Sequence, residues 1–184
     1  MNAYFTASIV GKRQYADNYR RIITYLESKG IPVASAHIMD TTEDHIRMES
    51  KSERQKFHAT LEKWINACDF MIVEASFPSI SVGYEIALAL HRAKPVLVLF
   101  TEEAPSLIMN SDEDKLVVEQ YTPSTIPDTV DEFLNYIRGA NDTRFTFFIT
   151  PEINAYLAKV SKKDKLPKSV YLRNLIVRDM VKRQ

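Results

Sequence analysis

The sequence predicts a doubly wound α/β fold: a five-stranded parallel sheet covered by helices on both faces, followed by a small strand-helix-helix module. Three observations lead there. Short apolar runs, Phe70–Val73 and Pro95–Phe100 above all, read as strands buried on both faces. Segments with helical apolar spacing alternate with these runs, so the strands run parallel. The charge also divides: residues 1–142 carry 14 Lys+Arg against 21 Asp+Glu, a balance of −7, and residues 143–184 carry 10 against 3, a balance of +7. A basic block on an acidic body argues for two functional units, the second facing a polyanion.

In chain order, Ala3–Ile9 is the first strand, ending at Val10-Gly11-Lys12. Tyr15–Lys29 is a helix with Tyr19, Ile22, Ile23 and Leu26 on its apolar face and Gly30 as its C-cap. Ile31–His37 is a second strand, and Ile38–Arg47, being polar, a loop. Ser50–Ala67 is a helix with Phe57, Leu61, Trp64 and Ile65 along one side. The central strand from Phe70 ends in the polar turn Ser76-Phe77-Pro78-Ser79. The helix after it carries Ile86, Leu88, Ala89 and Leu90, with Glu85 expected in its first turn. Pro95–Phe100 and Lys115–Tyr121 are strands four and five. Thr125–Arg138, opened by Pro127 and stopped by Gly139, closes a domain spanning 1–139.

The composition is that of a globular protein without a transmembrane segment. No basic region precedes the first strand, so no secretory signal is expected. One cysteine, Cys68, makes no intrachain disulfide and belongs to no metal cluster. These features fit a cytoplasmic protein needing no metal or other cofactor.

The chemistry is expected at Glu85, beyond the carboxyl end of the central strand, where open parallel sheets bind ligands. A carboxylate there also suits the helix dipole, with no function attached. Tyr4-Phe-Thr-Ala-Ser-Ile9 with Gly11, then Trp64 five residues before Asp69, then Pro78-Ser79-x-x-Val82-Gly83-Tyr84-Glu85, resemble the nucleoside 2-deoxyribosyltransferase superfamily. Within it the pattern is most similar to the deoxynucleoside 5-monophosphate N-glycosidases, over roughly the first three quarters of the chain. The resemblance implies a flavodoxin- or Rossmann-like sheet and a glutamate nucleophile, Glu85, that attacks the anomeric carbon of a 2-deoxyribosyl group. It also implies that Tyr4 holds that carboxylate. Ser8, Ile9 and Gly11 would cradle the sugar and its 5-prime end, with Ser79 at the same end and Ser106 reaching the neighbouring subunit's site. His37 stands where the family has a histidine; a structural role for it is equally open. Ser81 replaces a usual glycine beside Gly83. Leu61 stands at the family's aspartate, with His58 and Glu62 as nearby substitutes. Val10 and Asn110 stand where arginines are usual, although Lys12 and Arg13 follow closely. The ligand that the resemblance implies is a nucleoside or nucleotide. A sugar-binding domain without turnover is the alternative.

The tail, 143–184, begins with Thr143–Thr150, which alternates with period two: Phe145, Phe147 and Ile149 face one way, Arg144, Thr146 and Phe148 the other. Thr150 and Pro151 start a helix with Ile153, Tyr156, Leu157 and Val160 on one face. A second helix follows Pro167 with Leu172, Leu175, Ile176 and Met180. This resembles the ribbon-helix-helix fold. A lone strand must pair with that of a second chain to satisfy its backbone, so a homodimer or a dimer of dimers is expected. In that family the paired ribbon reads the major groove of double-stranded DNA. Arg144, Thr146 and Phe148 would then face bases, and Lys168 and Ser169 would hold phosphate. Dimerisation alone is the plainer reading, and a nucleotide-sensing DNA-binding regulator the wider one.

Overall fold

The computed structural model describes residues 1–48, 50–103, 113–139, 149–164 and 168–183. The chain forms two compact units, Met1–Asn141 and Asp142–Gln184. The first is a five-stranded sheet of β1 (Ala3–Ala7), β2 (Val33–Ala34), β3 (Phe70–Glu74), β4 (Val96–Phe100) and β5 (Leu116–Gln120), ordered β2-β1-β3-β4-β5 with every pairing parallel. Its helices are α1 (Lys12–Ser28), α2 (Ala36–Met39), α3 (Glu43–Met48), α4 (Lys51–Ala67), α5 (Ile80–His91) and α6 (Ile126–Gly139).

Side-chain alternation along the strands builds two cores. Ala3, Phe5 and Ala7 of β1, with Phe70 and Ile72 of β3, pack under α1 and α6 against Tyr19, Ile22, Leu26, Val130 and Phe133. Tyr4, Met71 and Val73 face the other way, against Leu61 and Ile65 of α4 and Val82, Ile86 and Ala89 of α5. β1, β3 and β4 are buried throughout. Their uninterrupted apolar runs follow from having a helical layer on each side.

Several local expectations need correcting. The second strand is only two residues long. It lies at the sheet edge, pairs with β1 alone, and turns at Ser35 into α2, whose Ile38 and Met39 amides bond the Ser35 carbonyl. His37 therefore sits on a helix rather than at a strand end. The expected loop over 38–47 is largely helical. Thr42 accepts a bond from the His45 amide, and Glu43 and Asp44 occupy the first turn of α3. That acidic turn after a threonine is a helix-start signal that polarity alone hides. Glu85 is the sixth residue of α5, in its second turn, because the helix begins immediately after Ser79. α1 starts at Lys12, three residues before the expected Tyr15, and α6 runs through Gly139 rather than stopping before it. Gly30 does close α1, with φ at +74° and its amide bonded to the Glu27 carbonyl.

In the second unit, α7 (Pro151–Asp164) and α8 (Lys168–Lys182) meet where the Tyr156 and Tyr171 rings cross edge-on with hydroxyls 3.2 Å apart. Thr150 caps α7 through the Ile153 amide. The expected ribbon, with Arg144, Thr146 and Phe148, lies outside the described residues, as do Ser106 and Asn110 and the side chains of Lys168 and Ser169.

Candidate active site

Tyr4, in the middle of β1, points toward the α4–α5 face and is fully buried. Its hydroxyl donates to Glu85 Oε2 at 2.8 Å and lies 2.9 Å from His37 Nε2. With its own proton given to the carboxylate, Tyr4 offers an acceptor oxygen, so His37 donates from Nε2. The two rings also stack, 4.9 Å apart and 11° from parallel. Beyond His37 lie Trp64, at 5.0 Å between centroids, and Phe57, at 6.2 Å. Residues from β1, α2, α4 and α5 thus meet at one point, buried at Tyr4, His37 and Glu85 and opening outward through half-buried Trp64 to exposed Phe57.

Burial governs the protonation of this cluster. Glu85 is 6 % exposed. Desolvation raises its pKa above the ordinary carboxylate value, while Thr6 and Tyr4 oppose that rise by favouring the charged form. The Thr6 hydroxyl lies beside the carboxylate without completing a hydrogen bond and is itself fully buried. Tyr4 is pushed far up by burial and by Glu85, so it stays a neutral donor. Burial lowers His37 to about 4, so its ring is neutral near pH 7. The result is a desolvated carboxylate held by neutral donors, a form suited to stabilising positive charge or attacking an electrophilic carbon.

The remaining expected residues surround this point at the carboxyl edge of the sheet. Ser8 is buried just after β1, and its Oγ accepts the Gly11 amide at 3.2 Å. Ile9 packs onto the α1-side core. Gly11 is required by space, since a Cβ there would come within 2.7 Å of both Phe77 Cβ and Tyr19 Oη. Ser79 caps α5 through the Val82 amide at 3.4 Å. Ser81 stands one turn before Glu85 on the same side of α5, whereas Gly83 is exposed, and a Cβ there would meet nothing within 4 Å. Lys12 and Arg13 are both engaged. Lys12 Nζ donates to the carbonyls of Ile38, Met39 and Thr41 at 2.9, 2.8 and 2.7 Å, and Arg13 grips Glu43 through two nitrogens.

Leu61 is a core residue, 4 % exposed. Of its proposed substitutes, Glu62 is paired with Arg92 at 3.1 Å, and His58 Nε2 lies 2.8 Å from the Tyr84 hydroxyl on the outer surface of α4 and α5.

Two features were not foreseen. A cavity of about 350 Å³ opens beside His37, lined also by Val33, Ser35, Met39, Asp40 and Trp64. Glu85 is not among its lining residues; His37, which is, connects to Glu85 through the Tyr4 hydroxyl. The short β2 and the helical turn after it create this space, and reading 31–37 as a strand concealed it. Glu74, at the end of β3, is a second fully buried carboxylate, pointing to the α1 side. Its Oε1 takes bonds from the Ser76 hydroxyl and, at 2.9 Å, from Tyr121, while Oε2 has no partner. Burial raises its pKa against those bonds. An apolar run ending in an acid was the available signal. Cys68 is buried, and its thiol is pushed up to about 11. Among the described residues, no group of three His, Cys, Asp or Glu could hold a metal ion, and no helix is long and apolar enough to cross a membrane.

Comparison with known proteins follows the same outline. The nucleoside 2-deoxyribosyltransferase family model matches residues 3–125. A protein of Nematostella vectensis, provisionally named 2'-deoxynucleoside 5'-phosphate N-hydrolase 1, is 30 % identical over 135 residues, covering 71 % of this chain and 91 % of its own. The 5-hydroxymethyl-dUMP N-hydrolase of Rattus norvegicus is 31 % identical over 103 residues, 56 % of this chain and 63 % of its own. Among solved structures, the CMP N-glycosidase of Clostridium botulinum superposes with a TM-score of 0.54 at 20 % identity, over 72 % of this chain and 99 % of that one. This last likeness concerns the fold.

Proposed function

Because the chain belongs to the nucleoside 2-deoxyribosyltransferase family, we propose that it cleaves the N-glycosidic bond of a 2'-deoxynucleoside or its 5'-monophosphate, with Glu85 as nucleophile. As the bond from C1' to the base nitrogen breaks, its electron pair leaves with the base and positive charge gathers on the sugar. The Glu85 carboxylate stabilises that charge and closes on C1' as an ester, which water or a second base then opens. Tyr4 holds the carboxylate in place through its hydroxyl. The observation that carries this reading is the buried 2.8 Å bond between Tyr4 and Glu85. The relatives' N-hydrolase names support the reaction class. Glu85→Ala should abolish release of free base from a panel of deoxynucleosides and deoxynucleotides; undiminished release would overturn the assignment.

A second reading concerns the tail. We propose residues 143–184 as a ribbon-helix-helix-like unit that pairs two chains and binds duplex DNA, with Arg144 at the bases. The +7 balance supports it, as do Ile153, Tyr156, Leu175, Ile176 and Met180, which are all exposed within the single chain. On this reading the first unit senses a nucleotide for the second. Duplex binding by the full chain should weaken as salt rises and with Arg144→Ala; no binding at low salt would rule it out.

A further inference from the structure

Thr6 stands two residues after Tyr4 on β1, on the same side of the strand, and is fully buried. The sheet register shows what packing alone would put there. Thr6 lies across from Val73 of β3, and Val73 across from Val98 of β4. Both valines are buried in the core under α4 and α5. A valine at position 6 would have the same branched shape and the same liking for a strand. The chain carries a hydroxyl instead, and among the described residues that hydroxyl has no hydrogen-bond partner. A buried donor left unpaired costs free energy that a methyl group would not.

The surroundings of the hydroxyl give it a use. Thr6 favours the charged form of Glu85 against the rise that burial imposes, and does the same for Tyr4. It therefore lies close to both members of the Tyr4–Glu85 bond. That bond engages Oε2 of the carboxylate. An ionised carboxylate has about four acceptor positions, so a second hydroxyl joins without displacing the first. Hydrogen bonds to reacting groups are often long before ligand binds and tighten afterwards.

We propose that Thr6 is a second positioning residue for Glu85, its hydroxyl donating to the carboxylate that Tyr4 already holds. The inference rests on the glycosidic reading above. Held by one bond, the carboxylate swings about it; held by two, it keeps one orientation toward the reacting carbon. Among the described residues, the titratable groups around it are Tyr4 on β1, His37 on α2 bonded to Tyr4, and Cys68 at the end of α4, which acts on Tyr4. The side chains of β3, α4 and α5 packed on this face are apolar.

The test compares Thr6→Val and Thr6→Ser in the full chain. Valine keeps the shape and removes the donor, whereas serine keeps the donor. On a deoxynucleoside or deoxynucleotide that the parent cleaves, Thr6→Val should lower kcat by about tenfold, the effect of losing one hydrogen bond to a charged group. KM should stay within about twofold, as for an interaction that strengthens only in the transition state. The acid limb of the pH–rate profile should move upward, and Thr6→Ser should reverse these changes. The melting temperature of Thr6→Val should equal or exceed the parent's, which a merely structural hydroxyl does not allow. A fall in kcat below about threefold, a loss confined to KM, or a loss that serine does not recover overturns the proposal. Should Thr6→Val fail to fold, Thr6→Ala and Thr6→Ser, which differ by the hydroxyl alone, give the same comparison. If the parent cleaves nothing, the glycosidic reading fails, and the positioning role is decided separately. Carbon-13 NMR then follows the Glu85 carboxyl titration, assigned with Glu85→Gln. A midpoint higher by about half a pH unit or more in Thr6→Val, and recovered in Thr6→Ser, upholds the role. A smaller change, or one that serine does not recover, ends it.

Discussion

Tyr4 and Glu85 are 81 residues apart in the chain and joined by a 2.8 Å hydrogen bond in a site nearly closed to water. The tyrosine lowers, and burial raises, the pKa of the same carboxylate. Tyr4→Phe removes the lowering influence and keeps the burial. On the proposed mechanism Glu85 acts only when ionised, so activity should fall as pH drops through its pKa, and in the variant that fall should begin at higher pH. We expect kcat near neutral pH to drop by roughly 100-fold, the lower end of the range for losing a donor to a reacting group. A pH–rate profile checks both effects.

His37 titrates at about 4 when folded, against 6.5 for the free side chain. A histidine held neutral contributes stability that is whole above pH 6.5 and lost as pH falls toward 4, because the unfolded chain takes up the proton first. The loss is of order 3 kcal/mol. Glu74 and Glu85, with raised values, act in the opposite sense and gain stability as pH falls through them. The comparison with His37→Gln, which keeps both acids, isolates the histidine. Urea unfolding at pH 7 and pH 4.5 should show a smaller acid penalty in the variant.

Leu61→Asp places a carboxylate at a core position packed by α4 against the sheet. It should lower unfolding free energy by roughly 2 to 4 kcal/mol, since the new group has lost both packing and water. Thermal denaturation reads this directly, and an unchanged melting temperature would mean that position 61 is open to a ligand.

Gly11 and Gly83 should behave oppositely. Gly11→Ala forces a methyl against Phe77 and Tyr19 and should cost about 1 to 3 kcal/mol. Gly83→Ala enters open space on a helix and should stabilise by about 0.5 to 1 kcal/mol. If Gly83 serves the ligand, its alanine variant gains in melting temperature and loses in KM.

The sheet was legible because burial on both faces writes itself into β3 and β4 as unbroken apolar runs. The Tyr4–Glu85 pairing was legible through the residues that carry the family resemblance. His37 was legible as a residue and misplaced as structure: an edge strand with one neighbour has little to prolong it, and Ser35 turns the chain before the strand pattern ends. The engagement of Lys12 could not be read at all. Its partners are backbone carbonyls more than 25 residues away, and carbonyls carry no side-chain signature.

That lysine also ties the start of α1 to the α2–α3 segment. The segment that delivers the His37 ring hangs on the first side chain of α1, so it cannot shift without pulling on the start of that helix. Any compound that pries the ammonium from its three oxygens would loosen the histidine's seat beside Tyr4, and would disturb the grip on the carboxylate without ever touching it.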